Sequence, residues 1–352
     1  DRGGFTIPTN RLYPYQWNWD SGFTALGISL LDKERAWKEL KMLIDSQWED
    51  GMIPHIIFHQ NDPDYFPGPK EWTIDGLSKT SCHSQPPILA SVIWTMVQRG
   101  TEFDKREANN LFNSLMNYHR WFFLARDPEN IGCVSIVHPW ESGRDNCPDW
   151  DLGLKNIKVP EDMGDYLRRD TSHVEQSERP TKDQYDKYMS IVHFGRNCHW
   201  DKTKMHFEGP FSALDPGVNF ILLRASKDLL SLAKYLGHDD TFDEINNWIQ
   251  SLNKGCQKMW NDSLNAFTAW DERSEKFSDA LTSASMLCLY AGAGTSKQQK
   301  YTIEHCERIL KSCNFGFPSL DPNHSSFEGK RYWRGPVWIN CNWFIYKGLK
   351  NK

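Results

Sequence analysis

Residues 20–48 read DSGFTALGISLLDKERAWKELKMLIDSQW, two helical patterns of opposite character set end to end. In the first, Phe23, Leu26, Ile28, Leu30 and Leu31 are apolar nearly all round, as expected of a helix buried within the molecule. In the second, Lys33–Trp48, a stripe of Trp37, Leu40, Leu43, Ile44 and Trp48 stands opposite charged residues, the pattern of a half-exposed helix. An inner helix is thus followed by an outer one.

The alternation recurs along the chain. Gln85–Gln98 is apolar and Lys105–Leu124 amphipathic; Pro216–Leu236 is followed by an amphipathic Thr241–Trp260; Ser278–Ala291 by Lys297–Cys313; and Pro336–Leu349 is again apolar. No segment sustains a period of two, so the expected class is all-α. Hairpins of unequal length with an apolar inner member predict a closed toroid of helix pairs, not a four-helix bundle or a regular solenoid. The loops at the inner helix ends carry clusters of Trp, Asp, His and Arg, which would line a common funnel.

One loop stands out. His138–Asp151, HPWESGRDNCPDWD, sets four carboxylates and two tryptophans among turn residues. An indole offers its face to the C–H groups of a sugar, and a carboxyl shielded from water keeps its proton. Such an acid can protonate a departing glycosidic oxygen. The alternative is structural: Asp145 and Asn146 are good cap residues for a helix starting near Pro148. Residues 157–205 are polar, of alternating charge and without a clear stripe. As an insertion they would cap the funnel, with Arg179 either gripping a ligand carboxylate in bidentate fashion or paired only with neighbouring acids.

Composition bounds the partners. The 352 residues suffice for one large domain or two average ones, and 41 basic against 46 acidic residues give a net charge of −5. No basic run suggests nucleic acid or a membrane surface, and no apolar run has transmembrane length. A small, neutral or singly charged molecule is the expected partner. The 16 Trp, 12 Tyr and 19 Phe often sit beside Asp, Asn, Arg or Gly, which favours a ligand-lined cavity. Nine Cys without C-x-x-C spacing point to reduced thiols in the cytoplasm rather than to disulfides or zinc. Two glycosylation sequons, at Asn261 and Asn323, are too short a pattern to override that reading.

Other chemistries find no motif. His55 and His59 lack the glutamate of H-E-x-x-H, Gly292-Ala-Gly294 lacks the rest of a dinucleotide fingerprint, and no G-x-S-x-G elbow occurs. Neither metal nor cofactor is expected. Carboxylate chemistry on a sugar is what is left.

Four blocks then carry a family likeness: YPYQWNWDSGF from Tyr13, DGMIPH from Asp50, WESGRDN from Trp140 and YWRGPVWIN from Tyr332. Their order and spread over nearly the whole chain resemble glycoside hydrolase family 63, in particular its members acting on glycerate glycosides. The resemblance implies an (α/α)6 barrel, one catalytic domain over residues 1–352 with the cap at 157–205. It also implies an inverting α-glycosidase mechanism with Asp145 as general acid. Trp19, Asp20 and His55 would surround the sugar ring, with Tyr13, Trp17 and Gln85 near the mouth. Trp140, Gly143, Tyr332, Trp333 and Trp338 would complete the walls. Arg179 and Tyr185 match the cap positions that hold the aglycone carboxylate.

The family's general base is a Glu in a loop after the Tyr332 block, expected beyond Lys352; Glu328 is the one nearby acid that could replace it. Six hairpins need twelve helices and about nine are legible, so the last inner helices are expected outside the given chain. Three readings stay open: a hydrolase of glucosylglycerate or mannosylglycerate, a trehalase-like or oligosaccharide α-glucosidase, and a catalytically silent sugar-binding protein.

Overall fold

The computed structural model describes residues 3–350 apart from Arg11, Asn61 and Asp162. Its helices are, in order, α1 (Asn18–Ile28), α2 (Lys33–Ile44), α3 (Leu89–Gln98), α4 (Glu102–Arg126), the short α5 (Asp151–Lys155) and α6 (Asp170–His173), α7 (Lys182–Asn197), α8 (Lys202–Phe207), α9 (Pro216–Leu236), α10 (Phe242–Gly255), α11 (Leu287–Ala291), α12 (Ser296–Ser312) and α13 (Ile339–Lys350). Helices α1, α3, α9, α11 and α13 pack side by side in that sequence. The seam between the last and the first is aromatic: the Phe23 ring lies 6.1 Å from Trp343 and 5.5 Å from Phe344. Outside them, α2 backs α1, α4 backs α3, α10 backs α9 and α12 backs α11. The expected inner–outer hairpins form an (α/α)6-type toroid. Among the described residues no helix is long and apolar enough to cross a membrane.

Local chemistry places the ends. Asp32 caps α2 by accepting from the Arg35 amide, and Thr101 and Asp104 form a reciprocal capping box at α4. Asp215 accepts from the amides of Gly217 and Val218 at the head of α9, and Gly237, with φ at +85°, ends it. Pro86 and Pro87 hold the chain extended after Gln85, so α3 begins only at Leu89 and the Gln85 side chain is left to serve the loop.

Several expectations are corrected. Helix α1 stops at Ile28, and Leu30 and Leu31 lie exposed in the following turn rather than in the core. The helix expected over Ser278–Ala291 forms only from Ser283, because residues 276–277 pair as a strand and Thr282 sets the first turn. The segment thought to lack a stripe contains α7, whose Tyr185, Tyr188, Met189 and Val192 follow the i, i+3, i+4, i+7 rule and are buried. Asp and Lys between them masked the period. Among the described residues eight two-residue strands also occur, too short for alternation to show. Four of them, Ser135–Ile136, Ala213–Leu214, Trp270–Asp271 and Lys276–Phe277, make one antiparallel sheet that gathers loops at one end of the toroid.

Candidate active site

The first block reaches the funnel through a strand pair. Gln16–Trp17 pairs with Ile56–Ile57, and the Asn18 amide donates to the His55 carbonyl at 3.0 Å, so Trp17, Trp19, Asp20 and His55 come to one wall. Gln85 joins them by accepting from the Trp19 amide at 3.1 Å.

The acidic loop folds back beneath them. Pro139–Ser142 makes a 3₁₀ turn closed by Gly143 at φ +67°. A Cβ at Gly143 would stand 2.5 Å from Cζ2 of Trp19, so only glycine lets the loop lie against that indole. Neither Asp145 nor Asn146 acts as the cap that capping preferences allowed. Cys147 holds the cap position of the turn at Pro148, and Asn146 instead accepts from the Trp333 amide at 2.9 Å. That bond carries the Tyr332 block to the same place, where Trp333 and Trp338 stack at 4.1 Å with an 8° interplanar angle.

Trp17, Trp19, Asp20, His55, Gln85 and Gly143, with Tyr13, Trp140, Asp145, Arg179, Tyr185, Tyr332, Trp333 and Trp338, line one cavity of about 410 Å³. Each site residue expected from the sequence is therefore on a single surface. Glu328 is not: it is half-exposed and accepts from Arg331 at 2.6 Å. Its place is structural, in the loop leading to Tyr332. Tyr65 and Asp170 also line the cavity and were missed. Asp170 lay in a run of alternating charge that gave no sign of which acid turns inward.

A chain of polar groups crosses the cavity. Asp170 accepts from Arg179 Nε at 2.8 Å, Arg179 Nη2 donates to the Tyr13 hydroxyl at 2.6 Å, and the Tyr13 and Tyr332 hydroxyls share a bond of 3.4 Å. Tyr332 in turn faces the Asp145 carboxyl and favours its charged form. The Arg179 guanidinium also lies 3.9 Å from the centre of the Tyr332 ring. Arg179 is thus paired with a neighbouring acid and also lines the cavity.

Burial dominates the acids. It pushes the Asp145 carboxyl up to about 6, against the opposing pull of Arg179 and Tyr332. Burial likewise lifts Asp20 to about 7, with the Asp145 charge adding to it. A shielded acid that keeps its proton near neutrality, beside indole faces, suits proton donation to a glycosidic oxygen.

Support lies behind the walls. Glu141 is gripped by Arg126 at 2.6 Å and accepts from the amides of Ser84 and Val137. Arg144 bridges Asp149 and Asp215, tying the acidic loop to the head of α9. Tyr188 of α7 donates to the Asp145 carbonyl at 2.8 Å. The missed helix is thus one that fixes the acid's backbone.

Comparison with known proteins follows the same lines. Residues 13–352 match the model of the mannosylglycerate hydrolase MGH1-like glycoside hydrolase domain. A mannosylglycerate hydrolase of Thermus thermophilus is 42% identical over 99% of this chain and 85% of its own. Mannosylglycerate hydrolase MGH1 of Selaginella moellendorffii is 40% identical over 99% of this chain and 72% of its own. A crystal structure of a family 63 mannosylglycerate hydrolase from Thermus thermophilus, in complex with Tris and D-glycerate, superposes with a TM-score of 0.95. It is 42% identical and covers 100% of this chain and 84% of that one.

Proposed function

The chain belongs to glycoside hydrolase family 63, in its MGH1-like group, and from that premise we propose that it is an inverting α-glycosidase of glycerate glycosides, mannosylglycerate or glucosylglycerate. The observation that carries the reading is the pairing, in one cavity, of a shielded acid, Asp145, with a fixed cation, Arg179, two tyrosines away. An acid beside indoles serves any glycoside, whereas a cation across the cavity suits an aglycone that bears a carboxylate.

In this mechanism the sugar ring sits among Trp19, Asp20, His55, Gln85 and Trp140, with Gly143, Trp333 and Trp338 closing the wall. Trp17, Tyr13 and Tyr185 flank the mouth. Asp145 gives its proton to the leaving oxygen while a second carboxylate activates water on the opposite face; pairs of this kind stand roughly 6.5–9.5 Å apart. Glu328 does not take that second role, since Arg331 holds it outside the cavity. Residues 157–205 contribute the cap over a single catalytic domain. The reading calls for no cofactor, and the cysteine content fits a cytoplasmic enzyme.

The test is proton NMR of the chain with mannosylglycerate, glucosylglycerate and trehalose in turn. With the second carboxylate supplied, the expected result is release of the β-anomer from a glycerate glycoside. Preferred cleavage of trehalose overturns the substrate, and saturation transfer without release even with that carboxylate supplied identifies a silent sugar-binding protein. In Asp145→Asn turnover should fall by roughly 10²–10⁴, the usual worth of a positioned acid, while binding is kept. Retained turnover removes Asp145 from the acid's role.

A further inference from the structure

We propose that His83, which does not line the cavity, is a positioning residue that fixes the tautomer of His55, so that the sugar meets a ring N–H donor and not a bare nitrogen. The proposal rests on the reading of the cavity as a sugar site.

His55 is held by its backbone on both sides: its carbonyl accepts from Asn18 and its amide donates to the His83 carbonyl at 2.8 Å. Its ring is the first of three stacked imidazoles. His55 and His83 lie 4.9 Å apart at 19°, and His83 and His138 lie 5.0 Å apart at 10°. Burial drives all three toward the neutral form, His138 to about 3 and the other two well below the ordinary value. The neighbouring charges act the same way, with the Arg126 cation facing His83. Each ring therefore carries one proton.

At His138 that proton is assigned by its partners. Nδ1 accepts from the Trp140 amide at 3.0 Å, which leaves Nε2–H to donate to the Tyr188 carbonyl at 3.1 Å. Between His83 Nε2 and His55 Nδ1, 3.1 Å apart, there is room for one proton. Were it on His55, the proton of His83 would sit on Nδ1, a buried atom without a hydrogen-bond partner. Buried orphan N–H groups are rarer than under-satisfied acceptors. The opposite placement strands only a lone pair and gives both rings the Nε2–H form that a histidine side chain prefers. His83 then donates to His55 Nδ1, and His55 turns Nε2–H to the cavity that it lines.

The consequence is a division of roles on one wall. His55 donates and the Asp20 carboxylate, when ionised, accepts, so the hydroxyl facing His55 must present its oxygen.

Histidine-selective ¹⁵N labelling with two-bond ¹H–¹⁵N spectra reads the tautomers directly, the His55 signals being assigned by their loss in His55→Gln. The expected wild-type spectrum has His55 Nε2 protonated and Nδ1 bare from pH 6 to 8. A protonated Nδ1 overturns the proposal. His83→Phe keeps a ring in the stack and removes the donor, whereas His83→Gln puts an amide N–H where Nε2 stood. Binding of methyl α-D-mannopyranoside should weaken about tenfold in His83→Phe, the scale of one hydrogen bond, and stay within about threefold in His83→Gln. Equal losses with an unchanged His55 spectrum would leave His83 a packing role alone. The expected wild-type spectrum without any sugar binding overturns the proposed function and leaves the tautomer assignment standing.

Discussion

Arg179 and Asp20 are the two side chains whose environment says most about the chemistry. Arg179 is 9% exposed and spends Nε on Asp170 and Nη2 on Tyr13, yet lines the cavity. Arg179→Ala should lower kcat/KM for glycerate glycosides roughly 30- to 100-fold, the worth of a charge-assisted bond, and that for neutral α-glycosides much less. Equal losses in a steady-state comparison would remove Arg179 from the aglycone site. Asp20 has a folded-state pKa of about 7, raised by burial and then by Asp145. A raised acid contributes most to stability below its unfolded value and loses that contribution as pH climbs to the folded one. Asp20→Asn should therefore gain in Tm relative to wild type as pH rises from about 4 to 8. A difference that is flat over that range would contradict the burial. Asp145 should make kcat/KM fall as pH rises through about 6, because the acid of the free enzyme must be protonated to act.

At the scale of elements, the helix ends are fixed by side chains that also join neighbours. Asp104 accepts from the Thr101 amide and hydroxyl at the head of α4, from Trp37 Nε1 of α2 at 2.9 Å and from Lys33 at 3.2 Å. Thr101→Ala should cost about 1 kcal/mol, whereas Asp104→Ala, which also orphans a buried indole N–H, should cost about 2–4 kcal/mol. Similar urea midpoints for the two variants would show that the α2–α4 bond adds nothing. The outer helices were legible because charge on one face and apolar residues on the other repeat with the helical period. Helix α7 was not, because Asp183, Asp186 and Lys187 lie among Tyr185, Tyr188 and Met189, and two of the buried residues are tyrosines that count as polar or apolar only once their hydroxyls have partners. The helix read from Ser278 begins only at Ser283 because strand pairing at residues 276–277 and the Thr282 capping box set its start.

For the whole molecule, the toroid is held by the succession of inner helices and by the aromatic seam where α13 meets α1. Phe344 is 1% exposed and touches Phe23, Tyr290 and Trp343. Phe344→Ala should cost about 3–5 kcal/mol and lower the melting temperature without changing which sugars bind, because none of Phe23, Tyr290, Trp343 and Phe344 lines the cavity. A selective loss of sugar binding at unchanged Tm would mean instead that the seam shapes the cavity. By itself the sequence determined the all-α class, the inner–outer order of nine helices and the blocks that carry the chemistry, since apolar periodicity and short motifs are local properties. Tertiary structure alone decided which acid turns inward, that Glu328 stays outside, that α7 supports the Asp145 backbone and how three histidines share their protons. Burial and hydrogen-bond partners are set by residues far apart in the chain, and no local pattern encodes them.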